Sequence, residues 1–343
     1  MIKVFIIDDS LLVRNSINKM LKGEYNIKVI GEAPNPVDAF TIFKKVGLPD
    51  VFILDIEMPK MDGLTFLKQL NEQNPVPVVI CSTLVSHGST EAVDALRLGA
   101  VSIIQKPKVN VGSFFMEQKE ELLEEIKAAS LSKLSFTPKS LQKRDISQGG
   151  VKEGEASKNF IAVGSSTGGV QVIEEVVVNL KPDHEGIVIT QHMPAGFTGS
   201  FADRLNSITR SKVVEASDDE LIAKNKIIIA KGGVHMTVYK DNDGNYRVKL
   251  KDFPKVNSHK PSVNVLFNSI VKSVGDKVTA FILTGMGDDG ATGIKKLKEL
   301  GNKTYGQNEN SCVVYGMPRT ANLIGGVDKE VSINEIYEII NKL

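Results

Sequence analysis

Residues 51–63 read VFILDIEMPKMDG, four apolar residues, an acid at Asp55, then a turn rich in Pro and Gly. A continuous apolar run that stops at an acid is the pattern of a strand buried on both faces, as in a parallel sheet. Working outward, similar runs occupy Val4–Ile7, Ile27–Ile30, Val76–Cys81 and Ser102–Ile104. Between them apolar residues fall at helical spacing, as at Val13, Ile17, Met20 and Leu21, at Ala92, Ala95 and Leu96, and at Leu122, Leu123 and Ile126. Five strands alternating with helices predict an α/β doubly wound parallel sheet over residues 1–128.

From 129 to 158 the texture changes to SLSKLSFTPKSLQKRDISQGGVKEGEASK, rich in Ser, Lys, Gly and Gln. Such a stretch cannot bury enough surface to offset ordering entropy, and it is expected to be a linker, with a short docked helix as an alternative. Order resumes at 159–343. Strand runs appear at Phe160–Val163, Gly186–Gln191, Lys226–Ala230 and Val278–Leu283, with helical patterns at Val172–Leu180 and Thr292–Leu300. An Asp-Asn-Asp-Gly turn at 241–244 joins the alternating segments His235–Lys240 and Tyr246–Lys251 into a β-hairpin. Ile336, Ile339, Ile340 and Leu343 close the chain on an amphipathic helix. The second domain is thus a mostly parallel α/β domain with an antiparallel insertion.

Bulk properties narrow the function classes. The 343 residues suffice for two ordinary domains, and 41% apolar with 24% charged residues is normal for a globular chain. A formal net charge of +1 offers no basic field for nucleic acid. Cys81 and Cys312 cannot make a disulfide framework and are expected as buried reduced thiols. No signal peptide and no apolar stretch of about 18 residues is apparent, so a cytoplasmic protein without membrane insertion is expected.

Three acids stand at strand ends: Asp8 and Asp9 after the first strand, and Asp55 after the third. Neighbouring carboxyl ends of an open parallel sheet form its ligand crevice, and clustered carboxylates there call for a hard divalent cation such as Mg²⁺. Ser82 and Thr83 end the fourth strand, and Lys106 with Pro107 ends the fifth. Singly, an Asp-Asp pair is an ordinary helix N-cap and a Lys-Pro an ordinary turn. Together they suit phosphoryl transfer onto Asp55, the metal and lysine neutralising the equatorial oxygens. Residues 1–128 resemble a two-component receiver domain through Asp8-Asp9, the string LDIEMPKMDG, Ser82 and Lys106-Pro107. The resemblance implies a flavodoxin-like fold and phosphorylation of Asp55 by a histidine kinase, with Ser82 and Lys106 as switch residues. It also implies Mg²⁺ held by Asp9, Asp55 and a backbone carbonyl near Glu57, Asp8 completing the acidic set, and a cis peptide before Pro107. One departure is Ile103, where many receivers carry an aromatic switch residue.

In the second domain, FIAVGSSTGGVQVI runs strand, turn, helix, and Gly164-Ser165-Ser166-Thr167-Gly168 matches the G-x-S-x-G nucleophile-elbow string. Alone, the same string suits an N-cap or a phosphate-binding turn. Two further strand ends carry chemistry: GIVITQHMP ends in His192, and TAFILTGMGDDG ends in Asp288-Asp289. If these strands share one parallel sheet, their ends converge. Ser166 then attacks an acyl carbon, His192 carries the proton, and Asp289 holds the imidazole tautomer. The amides of Thr167 and Met286 would form an oxyanion hole.

Residues 159–343 resemble the catalytic domain of the chemotaxis protein-glutamate methylesterases. The strings that carry the likeness are GSSTGG, QHMP at 191–194, KPSVNVLF at 260–267, LTGMGDDGA at 283–291 and VVYGMPRTA at 313–321. The resemblance places the triad on Ser166, His192 and Asp289, with Asp288 as the competing acid. It assigns the oxyanion donors to Thr167 and Met286, and leaves His259 as a further cleft residue. Asn264 stands where the family usually has Asp, and a structural role is expected for it. The implied function is hydrolysis of glutamate methyl esters, with deamidation of some glutamines, on methyl-accepting chemoreceptors. Phosphorylation of Asp55 would release a receiver that otherwise covers the cleft. The implied partners are those receptors and a chemotaxis histidine kinase; a monomer is expected, and the esterase reaction needs no cofactor. Two rivals are a DNA-binding response regulator, for which no basic helix-turn-helix follows the linker, and a receptor-binding adaptor without catalysis.

Overall fold

The computed structural model describes residues 1–83, 88–106, 119–133, 155–275 and 277–343. The chain divides into two compact units, Met1–Lys139 and Ser140–Leu343. In the first, the elements are β1 (Ile2–Ile7), α1 (Leu11–Leu21), β2 (Ile27–Ala33), α2 (Pro36–Val46), β3 (Val51–Leu54), α3 (Gly63–Gln73), β4 (Val78–Thr83), α4 (Gly88–Arg97), β5 (Ser102–Lys106) and α5 (Lys119–Ser130). The five strands form one parallel sheet in the order β2-β1-β3-β4-β5. Every residue of β3 is buried, as its unbroken apolar run requires. The face of α1 read from helical spacing is the buried one: Val13, Ile17, Met20 and Leu21. Its N-cap, Ser10, accepts from Val13 N at 3.4 Å, and Asp62 caps α3 by accepting from Thr65 N at 2.8 Å. Edge-to-face contacts among Phe5, Phe43, Phe52 and Phe66 fill one side of the sheet.

The second unit contains β6 (Phe160–Ser165), α6 (Gly169–Val178), β7 (Gly186–Gln191), α7 (Thr198–Ile208), β8 (Lys212–Glu215), β9 (Lys226–Ile229), β10 (His235–Lys240), β11 (Tyr246–Lys251), α8 (Val263–Ser273), β12 (Val278–Ile282), α9 (Ala291–Glu299), β13 (Lys303–Gln307), α10 (Met317–Leu323), β14 (Lys329–Val331) and α11 (Ile333–Ile340). Seven strands pair in parallel in the order β14-β13-β12-β6-β7-β9-β8, and β10 pairs antiparallel with β11 as a separate ribbon. The hairpin has the bounds its alternation predicts. Its turn is tied by Asp241, whose Oδ1 accepts from Asp243 N and Asn245 N, and Gly244 takes a φ of +87°.

Three strands escaped the sequence: β8, β13 and β14 are short and carry polar residues, β8 and β14 lying at the sheet's two edges. Leu343, expected on the last helix, lies beyond it. Residues 155–158, read as the end of the linker, pack on the second unit. Ser157 is buried, its N–H bonds Ile222 O, and its hydroxyl accepts from Gly186 N. Residues 134–154 of the expected linker lie outside the described residues. Both cysteines are buried thiols outside any disulfide. Among the described residues, no helix is long and apolar enough to cross a membrane.

Candidate active site

Strand β6 is buried along its whole length and lies between β7 and β12. The chain leaves β6 towards β7 and later crosses back to β12, so β6 stands at the switch point of the sheet, where an open α/β sheet has its crevice. Beyond β6 the chain turns tightly into α6. Gly169 N donates to Ser166 O at 2.8 Å, and Gly168 takes the left-handed φ of +77°. The string was read as a nucleophile elbow; here the unusual torsion falls on Gly168 and not on Ser166, because a residue without Cβ carries it at no steric cost.

The parallel register sets Ser165 opposite Gln191, which makes Ser166 and His192 the next residues on adjacent strands. His192 N donates to Ser165 O at 3.0 Å, and Gln191 Nε2 donates to Ser166 O at 2.8 Å. From the other side, Ser166 N donates to Thr284 O at 3.0 Å. A Cβ on Gly285 would lie 2.6 Å from Ser166 Cβ, so only glycine permits this approach. Ser166 is therefore held from both neighbouring strand ends.

Asp289 is buried and accepts four hydrogen bonds. His192 Nε2 lies 2.8 Å from its Oδ2; Val263 N donates to that oxygen at 2.6 Å, and Ser262 Oγ and Asn264 N donate to Oδ1 at 2.8 and 3.0 Å. The two amides are the first of α8, whose dipole favours an anion there. Burial pushes the Asp289 carboxyl up, but His192 and the donors of Asn264 and Ser262 outweigh it and hold its pKa below the usual carboxylate range. Asp288, the competing acid, is exposed, and its carboxylate accepts from Asn257 Nδ2 at 3.2 Å.

With Nε2 engaged by Asp289, the remaining ring nitrogen of His192, Nδ1, is buried without a hydrogen-bond partner among the described residues. His259 stacks on the His192 ring, centroids 3.6 Å apart and planes at 17°. Burial, then the neighbouring His192, push the His259 pKa down to about 2, so this ring is neutral and adds an apolar wall. Met286 follows Gly285, whose carbonyl accepts from the Gly316 and Met317 amides, and Thr167 lies in the turn after Ser166. The Met286 N–H has no acceptor among the described residues. Asn264 has the structural part expected of it: its Oδ1 accepts from Thr292 Oγ1 and Gly293 N, tying α8 to α9.

Ser262, Gln191 and Thr284 were not singled out in the sequence. Ser262 could have been, because within KPSVNVLF it is a Ser directly before a helical run, the signature of an N-cap, and it does accept from Val265 N. Taken as chemistry, an alcohol and an imidazole on neighbouring strand ends, with one ring nitrogen fixed by a buried carboxylate, are the components of acyl transfer.

In the first unit, one carboxylate oxygen each from Asp8, Asp9 and Asp55 lies within 4.8 Å of the others. Lys106 Nζ sits 2.6 Å from Asp8 Oδ2 and 2.7 Å from Asp55 Oδ2. Gly63 lets α3 approach Asp55, since a Cβ there would meet the Asp55 carbonyl oxygen at 2.1 Å. Burial raises the Asp55 pKa to about 6, with Asp8 adding to the rise and Lys106 opposing it; burial also raises that of Asp8. Three carboxylates against one ammonium fit a hard divalent cation, and exposed Asp9 opens the set to solvent. Ser82 is buried, one residue before the Thr83–Lys106 pair of β4 and β5; Glu57 is exposed, and Ile103 is buried in β5. The peptide before Pro107 lies outside the described residues.

Residues 161–340 match the family model of the CheB methylesterase, and residues 4–111 match that of the response regulator receiver domain. The chain is 42% identical to a protein-glutamate methylesterase/protein-glutamine glutaminase of Shewanella oneidensis, over 99% of this chain and 98% of that one. It is 41% identical to another of that description from Leptospira interrogans, covering 98% of each. The catalytic domain of Thermotoga maritima CheB methylesterase superposes with a TM-score of 0.52 at 34% identity, covering 54% of this chain and 97% of that domain. Two domain matches and full-length similarity agree with the strand-end geometry: the chain belongs to the CheB methylesterase family, with a response regulator receiver domain ahead of its methylesterase domain.

Proposed function

We propose that this chain demethylates glutamate γ-methyl esters on methyl-accepting chemoreceptors, and deamidates certain glutamines, by a Ser166–His192–Asp289 relay. The observation that carries it is the polarity of His192, on the strand end next to that of Ser166: Asp289 holds Nε2, and Nδ1 has no hydrogen-bond partner among the described residues, which supports Nδ1 as the base. Ser166 Oγ bonds to the ester carbonyl carbon as its proton passes to Nδ1. The same proton then leaves on methanol, and the acyl-enzyme remains. Water gives its proton to Nδ1 and its hydroxyl to the acyl carbon, which frees glutamate and restores the serine. For glutamine the leaving group is ammonia. The Thr167 and Met286 amides receive the carbonyl oxygen as it gains charge, and Asp289 stabilises the imidazolium without taking its proton.

The receiver supplies control. Asp55 accepts a phosphoryl group from a chemotaxis histidine kinase, with Lys106 and Ser82 contacting its oxygens. Mg²⁺ bound by Asp9, Asp55 and the Glu57 carbonyl, with Asp8 alongside, would offset phosphoryl charge. Phosphorylation is read out as faster demethylation. The test is methanol release from methylated receptor membranes with and without a small phosphodonor. Ser166→Ala abolishes release while leaving Asp55 phosphorylation intact; retained release in that variant rejects Ser166 as nucleophile.

A further inference from the structure

Beside the candidate active site the hairpin β10–β11 and helix α8 enclose an open groove of about 920 Å³. Its floor is partly apolar, with Val238, Val256, Val265 and Phe253, the last an exposed ring stacked on His235. Its rim is cationic: Lys249, Lys251, Lys272 and Lys296 line it against one carboxylate, Asp219. Asp219 is already engaged, by Tyr239 OH at 2.8 Å and Lys249 Nζ at 3.5 Å. Lys296 Nζ reaches Asn268 Oδ1, whereas Lys251 and Lys272 are exposed and make no ion pair among the described residues. Lys249 also pairs with Asp218 at 3.7 Å, so the local excess is the three lysines without an ion pair among the described residues, Lys251, Lys272 and Lys296, in a chain of net charge +1.

The groove adjoins the chemistry through two of its own residues. Asn264 donates its amide to Asp289, and Val256 pairs through both backbone hydrogen bonds with His259, which stacks on His192. A polypeptide whose modified side chain enters the site would have this groove next to it.

We propose that the groove binds an acidic helical stretch of the protein substrate, flanking the residue being modified, so that β10–β11 and α8 act as a substrate-docking surface. This rests on the proposed function, which supplies a glutamate-bearing protein as substrate. A helix is roughly 10 Å across and rises about 5.4 Å per turn, so about two turns fit the volume. Its apolar stripe would meet the valines and Phe253 while its carboxylates meet the lysine rim.

The experiment uses the full chain carrying Lys251→Glu and Lys272→Glu together. Methanol release from methylated receptor membranes is compared with hydrolysis of a small neutral ester, p-nitrophenyl acetate. The expected result is a KM for receptor raised about five- to tenfold at low salt, as reversing two exposed charges facing acidic groups implies. The difference should shrink in 0.5 M salt, where the screening length is only a few ångströms (about 3 Å at 1 M), with kcat and small-ester turnover within about twofold of the parent. Lys251→Gln with Lys272→Gln should give an intermediate rise. An unchanged receptor KM overturns the proposal. So does faster small-ester turnover, which would make the chain's own receiver the occupant, and so does slower turnover, which would place the effect in the active site. If the parent chain hydrolyses the small ester but releases no methanol from receptors, the proposed substrate class fails and the docking surface with it, a result separable from a change confined to the variant.

Discussion

Asp289→Asn tests the site most directly, because the substitution keeps shape and removes one acceptor. The two carboxylate oxygens serve different partners: Oδ1 takes Ser262 Oγ and Asn264 N, and Oδ2 takes His192 Nε2 and Val263 N. An amide can present its oxygen to one set only. Turned towards Asn264, its NH₂ faces Val263 N–H and obliges His192 Nε2 to accept, so the ring proton moves to Nδ1 and the base is lost. Turned the other way, it leaves the Asn264 amide without an acceptor. Either way a buried backbone N–H is orphaned, at about 1–3 kcal/mol, and the charge assistance to the remaining bonds goes with it. The expected destabilisation is about 2–4 kcal/mol, measured by urea unfolding. For activity, loss of the correct tautomer predicts a fall in kcat of about 10⁴-fold. The pH dependence has a fixed sign. Because the folded carboxyl is held below its unfolded pKa, its contribution is present above about pH 4 and lost as pH falls through the folded value. The stability gap between parent and Asp289→Asn should therefore be full at neutral pH and close on acidification. Methanol release within about tenfold of the parent, or a larger loss from Asp288→Asn, refutes the assignment.

Asp55→Asn should remove the response of methanol release to phosphodonor while leaving basal release within about twofold, as an assay with labelled phosphodonor and receptor membranes can show. Gly285→Ala should cost about 1–3 kcal/mol and lower kcat at least tenfold, since its Cβ would meet Met317 Sδ at 2.5 Å and Ser166 Cβ at 2.6 Å. Circular dichroism melting separates the stability effect from the kinetic one.

The strand ends were legible because parallel strands buried on both faces leave unbroken apolar runs, and the first polar residue after each run marks the crevice. That is why Asp55, the first residue after its run, was legible, and why His192 and the Asp288-Asp289 pair, a few residues past theirs, stood out as candidates. What stayed hidden has the complementary cause. β13, KTYGQ, carries polar residues because Gln307 faces a polar task, accepting from Thr284 N through Oε1, and so it lacks the apolar signal of its neighbours. The choice between Asp288 and Asp289 depended on which carboxyl meets the first amides of α8, 25 residues earlier in the chain, and no local pattern contains that contact. The polarity of His192 is equally invisible in sequence, since both ring nitrogens belong to one residue type.

The two units apply one topological device to opposite electrostatic problems. In each, a strand flanked by others on both sides, β1 in one and β6 in the other, stands where the chain reverses its direction across the sheet. At the first such point three carboxylates gather around one ammonium, and burial raises the pKa of Asp55 to about 6, leaving an excess of negative charge that a cation would balance. At the second, the single buried carboxylate is satisfied within the chain by two helix amides, a hydroxyl and an imidazole. Such a site is assembled before substrate arrives, so it has no electrostatic need of a signal to form. The receiver control proposed above would then act on access to the cleft or on the protein substrate's approach. Phosphorylation should accordingly change methanol release from receptors through those steps, and phosphorylated receiver added to the separate second domain should leave the rate of Ser166 acylation by a small fluorophosphonate unchanged. A separately expressed domain 155–343 whose labelling still responded to added phosphorylated receiver would show that the catalytic groups themselves are switched.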